Sequence, residues 1–135
     1  MPRVDFSLYL ITDRKNTGGR SIHSVVNEAL DHGAGAVQIR EKDLPVQSLL
    51  TLTREIDEQA TRYGARCFVN DCVDVCLSIF GVGIHLRSDG LPVDQVRRLV
   101  GPDRLIAVST HSSDEVQRAE QHGADFVVLG PIYDT

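Results

Sequence analysis

The chain has 135 residues, 41% hydrophobic and 24% charged, which is enough for one domain with a real core and ordinary for a soluble globular protein. Its net charge of −5 excludes a general nucleic-acid surface, so any anion site must be a local basic cluster. No apolar run approaches the roughly 20 residues of a membrane helix, MPRVDFSLYLITD has no signal-peptide pattern, and three cysteines (Cys67, Cys72, Cys76) without disulfide-framework spacing fit a reducing cytoplasm.

In chain order, strand-like runs fall at 7–12, 36–40, 66–70, 81–86, 104–110 and 125–130. Helical patterns lie between them at about 21–32, 46–63, 72–79, 93–100 and 113–122. In the second helix Val46, Leu49, Leu50, Ile56 and Ala60 form an apolar stripe, with Pro45 suited to its first turn and Gly64 to its stop. Ser112 or Ser113 can cap the fifth helix, with Glu115 near its positive end. His32-Gly33-Ala34 and His122-Gly123-Ala124 each lead into a strand, as a repeating βα unit would. Strict alternation with near-continuous apolar strands predicts one parallel α/β domain over 1–135, with ligands at the C-terminal strand ends. An eight-stranded barrel usually takes roughly 250 residues. Six strands and five helices therefore read as either an open doubly wound sheet or an incomplete barrel, and periodicity does not separate the two.

Polar side chains collect at those strand ends. VQIREKD, residues 37–43, places Gln38 and Arg40 on one strand face, and Lys42 joins them if the extended geometry persists. Such a donor-rich row suits pyrophosphate, although a solvated strand end would look the same. Asn70 offers both a donor and an acceptor. Asp71 and a second carboxylate such as Asp89 can hold Mg²⁺, which takes oxygen ligands and keeps waters. Asp71 could equally cap the following helix, and Asp89 precedes Gly90 in a turn pair. His111 is the histidine at a strand end and a candidate acid–base group, with capping as its structural alternative. His85, inside a strand, reads as a satisfied core residue. Without a CxxC, the cysteines read as small buried residues.

Taken together, LYLITD, VQIREKD, FVNDCVD, GIHLRSDGLP, IAVSTHS and GADFVVLGPIYDT resemble, in the same order, the signature segments of the thiamine phosphate synthase / thiazole tautomerase family. The resemblance runs from Leu8 to Thr135. It implies a (β/α)8 TIM barrel, present here as its N-terminal part. It also implies a Mg²⁺-dependent transferase that joins hydroxymethylpyrimidine pyrophosphate to thiazole phosphate and releases pyrophosphate. By that resemblance Gln38, Arg40 and Lys42 bind the pyrophosphate of the pyrimidine substrate, Asn70 contacts the same substrate, and Asp71 is a Mg²⁺ ligand. Ser109 lies near pyrimidine and pyrophosphate, and Thr135 matches a residue on the thiazole side. The implied mechanism is dissociative: pyrophosphate leaves, the pyrimidine methylene becomes a carbocation, and the thiazole nitrogen captures it. Family members often associate, so a homo-oligomer is an expectation as well.

Two departures stand out. The family pattern GQED-LP is here Arg87-Ser88-Asp89-Gly90 followed by Leu91-Pro92. Gly90 stands where the second metal-binding Asp belongs, and Asp89 is one residue early. The family's later Lys and its glycine-rich loops are not among these residues, so the chain corresponds to roughly the first two-thirds of such an enzyme. A thiazole tautomerase using His111 as proton shuttle, or a catalytically inactive barrel fragment, are the alternatives, and the retained Asp71 argues against the first.

Overall fold

The computed structural model describes residues 3–134. Six strands alternate with five helices: β1 (Tyr9–Ile11), α1 (Ile22–Asp31), β2 (Ala36–Ile39), α2 (Val46–Arg62), β3 (Arg66–Asn70), α3 (Val73–Ser78), β4 (Gly83–Leu86), α4 (Val93–Val100), β5 (Ile106–Thr110), α5 (Ser113–Gln121) and β6 (Phe126–Leu129). All neighbouring strands are parallel and follow one another as β1-β2-β3-β4-β5-β6.

That order separates the two architectures left open by the sequence. A doubly wound sheet reverses direction at a switch point and covers both faces with helices. Here the winding never reverses. Val37, Ile39, Cys67, Val69, Ile84, Leu86, Ile106 and Val108 share one core with apolar residues from all five helices. Helices thus cover one face only, as in a barrel wall.

Local chemistry accounts for the element ends. Ser21 and Ser112 cap α1 and α5 by accepting from the N–H of Ser24 and Glu115. Gly33 and Gly123 take φ of +103° and +97°, and the next residue's N–H then reaches back to the Ala29 and Ala119 carbonyls at 3.0 Å. Tyr63-Gly64-Ala65 repeats the device at the end of α2, a third copy of the βα punctuation. The apolar stripe of α2 differs from the predicted one. Val46 is exposed and Pro45 is the N-cap, while Leu49, Leu52, Thr53, Ile56 and Ala60 face the core. Cys67 and Cys76 are buried, and burial pushes both thiols up. No helix among the described residues is long and apolar enough to cross a membrane.

The opposite sheet face is layered. Toward the N-terminal strand ends Phe6, Tyr9, Phe68 and Phe126 form an aromatic cluster with ring centroids 5.4 to 6.1 Å apart. Toward the C-terminal ends the same face carries Gln38, Asn70, His85 and Ser109. Gly83 makes the aromatic layer possible. A Cβ there would lie 2.6 Å from Cδ2 and Cε2 of Phe68 and 2.9 Å from the Leu105 carbonyl oxygen. Gly83→Ala is therefore expected to destabilise the chain by roughly 1–3 kcal/mol. A lower urea midpoint at unchanged m-value would show this, and an unchanged midpoint would refute the packing argument.

Candidate active site

The C-terminal strand ends hold a cavity of about 220 Å³ whose lining includes Lys42, Asn70, Asp71 and Arg87. Each is delivered by a different feature of the backbone. Strand β2 ends at Ile39, so Lys42 does not continue the row of Gln38 and Arg40. A turn closed by Leu44 N–H to Glu41 C=O carries Lys42 to the cavity instead. Gln38 is fully buried below the rim, whereas Arg40 is exposed at it, its N–H donating to Thr12 Oγ1 at 3.0 Å.

The two carboxylates flanking Lys42 are already committed. Glu41, buried, accepts from Thr12 Oγ1 at 2.6 Å, from the Arg14 N–H at 3.1 Å and from Arg14 Nη1 at 3.1 Å. Asp43 takes both Arg14 guanidinium nitrogens, at 2.6 and 2.7 Å, and Lys15 Nζ at 3.0 Å. Hydrogen bonds from Arg14 and Lys15 hold the Asp43 carboxyl well below the usual carboxylate range, and those that Arg14 donates to Asp43 and Glu41 raise Arg14. Glu41 and Asp43 are therefore neutralised from the β1 side, and the Lys42 ammonium has no ion-pair partner among the described residues. Arg97 and Arg104, by contrast, are spent at the opposite end of the sheet on backbone carbonyls and Asp125.

Asp71 is the one non-glycine residue with positive φ (61°) among those described. Its N–H donates to the His85 carbonyl at 2.9 Å, which ties the end of β3 to β4. Left-handed backbone at a non-glycine residue is costly and concentrates at functional sites. The capping alternative does not hold, because α3 starts from Cys72 with no side-chain cap. Asp89 does not join Asp71: it is exposed and paired with Arg87 at 3.0 Å. Position 90 is the one that faces Asp71, since a Cβ at Gly90 would lie 2.9 Å from Asp71 Oδ1. No group of three or more His, Cys, Asp or Glu side chains able to hold a metal occurs among the described residues.

Below the rim an unbroken hydrogen-bond chain crosses the sheet. Asn70 Nδ2 donates to Gln38 Oε1 at 2.8 Å, and Gln38 Nε2 donates to Tyr9 Oη at 3.2 Å. Tyr9 Oη lies 2.9 Å from His85 Nδ1, and His85 Nε2 lies 2.9 Å from Ser109 Oγ. Burial, and secondarily the charge of Arg40, pushes His85 down to about 4, and burial raises Tyr9. Ser109 also lines a neighbouring cavity of about 320 Å³ with Arg87, Gly90 and Arg118. His111 stands apart from both cavities' linings, exposed and turned to Glu115 with Nδ1 3.4 Å from Oε2. Thr135 lies outside the described residues.

A family model described as thiamine monophosphate synthase matches residues 8–135. The chain belongs to that family. A relative from Geobacter sulfurreducens is 47% identical over all of this chain and 63% of its own length. The thiamine-phosphate synthase of Shouchella clausii is 39% identical over 96% of this chain and 62% of its own. The structure of the thiamine phosphate pyrophosphorylase from Pyrococcus furiosus superposes with a TM-score of 0.87 at 31% identity, over 97% of this chain and 63% of that one. The chain thus spans a little under two-thirds of the length of these synthase-family relatives.

Sequence reasoning placed Gln38, Asn70 and Ser109 at the C-terminal strand ends, and the structure brings the three onto one sheet face. It missed Tyr9 and the contacts of Glu41 with Arg14, because the partners are 29 and 27 positions apart. The only local signal was the strand period, which puts Tyr9 on the inner face.

His85 supplies a pH test. Unfolded, it takes up a proton near its ordinary 6.5, and folded only near about 4. Its contribution to stability is complete above pH 6.5, is lost as pH falls from there toward 4, and levels off below. The loss is on the order of 3 kcal/mol. Urea unfolding between pH 7.5 and 4 should show this slope in the wild type and not in His85→Gln. Parallel curves for the two proteins would contradict it.

Proposed function

We propose that this chain carries the pyrimidine-pyrophosphate half of a thiamine phosphate synthase site and acts in the transfer of hydroxymethylpyrimidine from its pyrophosphate to thiazole phosphate. The observation that carries this reading is the shared cavity of Lys42 and Asp71, with both carboxylates next to Lys42 withdrawn by Arg14. Dissociative transfer asks for little proton movement. It asks for a leaving pyrophosphate whose charge is neutralised and a ring held in place.

The residues divide those tasks. Arg40 and Lys42 supply fixed positive charge for the phosphoryl oxygens at the rim. Asn70, braced from below by Gln38, orients the pyrimidine. Ser109, braced by His85, closes the other side. The Asp71 carboxylate fits a magnesium ion of the kind that keeps several waters and takes one or two carboxylates plus substrate phosphates. Gly90, whose backbone packs close against Asp71 Oδ1, brings no second carboxylate, which suits such a hydrated ion held by a single one. Bound there, Mg²⁺ would spread the charge developing on the departing pyrophosphate. The tautomerase alternative draws less support, since its proton carrier His111 is paired with Glu115, and neither lines the cavity of Lys42 and Asp71.

Titration calorimetry of inorganic pyrophosphate against the folded chain, with and without Mg²⁺, tests the reading. We expect Mg²⁺-dependent binding that Asp71→Ala abolishes and that Arg40→Ala or Lys42→Ala weakens at least tenfold, the scale of a lost charge-assisted bond of about 1.5–3 kcal/mol. A folded chain that binds no pyrophosphate in either condition would rule the reading out.

A further inference from the structure

We propose that Tyr9 and His85 are positioning residues whose hydrogen-bond relay, running one way from Asn70 to Ser109, holds the Ser109 hydroxyl as a donor to the pyrimidine ring. The inference rests on the site reading above and adds residues and a direction to it.

The direction follows from the amide orientations of Asn70 and Gln38 and, from there on, from counting protons. Asn70 gives an N–H to Gln38 Oε1, so the Gln38 amide nitrogen is what reaches Tyr9, and it donates to the Tyr9 oxygen. A tyrosine hydroxyl has one proton. With its oxygen accepting from Gln38, that proton goes to His85 Nδ1, 2.9 Å away. A neutral imidazole that accepts at Nδ1 carries its own proton at Nε2. That proton meets Ser109 Oγ at 2.9 Å. Ser109 therefore accepts from inside, and its remaining proton points elsewhere. Two functions are left at the relay ends: an O–H donor on Ser109 and a carbonyl acceptor on Asn70. The reverse direction would also satisfy every inner atom, but it leaves an acceptor on Ser109 and a donor on Asn70. Ring nitrogens of a pyrimidine are acceptors, so the first direction presents Ser109 to them and the reverse would present Asn70; the Asn70 and Gln38 amide orientations select the first.

Placement separates this relay from the anion site. Ser109 does not line the cavity that holds Lys42 and Asp71, and Tyr9 and His85 line neither cavity. Tyr9 and His85 can act on a ligand only through the relay ends, Ser109 on one side and Asn70, by way of Gln38, on the other. Their rings are fixed by packing: Tyr9 stacks on His85 at 5.8 Å and meets Phe68 and Phe126 edge-on at 5.4 and 5.5 Å. Removing the Tyr9 hydroxyl leaves that packing in place and breaks the relay alone.

Two measurements test the proposal. In the unaltered chain, a long-range proton–nitrogen correlation spectrum with labelled histidine at pH 7.5 should show His85 protonated at Nε2 and bare at Nδ1. A proton at Nδ1, or a mixture of the two tautomers, overturns the relay whatever the protein binds. Calorimetry then compares hydroxymethylpyrimidine pyrophosphate with inorganic pyrophosphate, both with Mg²⁺, on wild type, Tyr9→Phe, Ser109→Ala and the double variant, each checked for folding by circular dichroism. Each single change should weaken the pyrimidine compound roughly fivefold to tenfold, the scale of one neutral hydrogen bond. Inorganic pyrophosphate should be unaffected, and the double variant no worse than either single one, as expected for groups acting in series. Equal losses for both ligands, or additive losses in the double variant, overturn the positioning role. A wild type that binds neither ligand removes the functional reading and this role with it, while the spectrum still reports the relay's direction on its own.

Discussion

The Glu41 carboxylate sets the electrostatics of the whole rim. It is buried, and a buried carboxylate without partners costs several kcal/mol. Three donors from the end of β1 meet it: the Thr12 hydroxyl, the Arg14 N–H and the Arg14 guanidinium. These bonds, with those from the Thr12 N–H to the Gln38 carbonyl and from the Arg40 N–H to Thr12 Oγ1, bind the end of β1 to the end of β2. The same guanidinium also serves Asp43, which takes Nη2 and shares Nη1 with Glu41. A stretch that reads as acidic on balance, Glu41-Lys42-Asp43, thereby offers its one cation to an anion. Net charge of the chain and local charge of the site have opposite signs for this reason.

The second constraint is that, among the described residues, the inner sheet face has no helices over it. A face of this kind must either stay apolar or satisfy its polar groups within itself. The chain does both in layers. Aromatic rings fill the part near the N-terminal strand ends, and Gly83 has no side chain because Phe68 lies over it. Above them the polar groups bond to one another in series, with Tyr9 belonging to both layers, its ring below and its hydroxyl above. Every inner member of the series has its partner, so the site side chains enter the rim with little orientational freedom left to lose.

Much of this was legible in the sequence, for local reasons. Strands and helices announce themselves through runs, caps and glycine stops that span a few residues, and the predicted elements agree with the observed ones to within about two residues at most ends. Val46 misled because the stripe of α2 was started one position inside its cap, at a residue whose first turn faces solvent. Strand order was not legible from periodicity, since a parallel wall and a doubly wound sheet share it and differ only in which strand lies beside which; the family resemblance alone implied the barrel wall that the structure shows. Gln38, Asn70 and Ser109 could be grouped because each lies at or near the C-terminal end of a parallel strand, which puts them at one rim. Lys42 could be assigned to the rim but not to its turn, which depends on Glu41 reaching back 27 residues to Arg14. Tyr9 and His85 are 76 residues apart and meet only once four strands have paired. The replacement of an acid by Gly90 was visible as a departure from the family pattern. That position 90, not 89, faces Asp71 is a property of the loop.

The most direct test of the account is a crystal structure of this chain grown with Mn²⁺ and inorganic pyrophosphate, with the metal located by its anomalous signal. The account predicts one metal at the Asp71 carboxylate and pyrophosphate oxygens within reach of Lys42 and Arg40, with Glu41 and Asp43 still held by Arg14. A metal bound through Asp89 away from Asp71, or pyrophosphate seated in the neighbouring cavity beside Arg118, would contradict it.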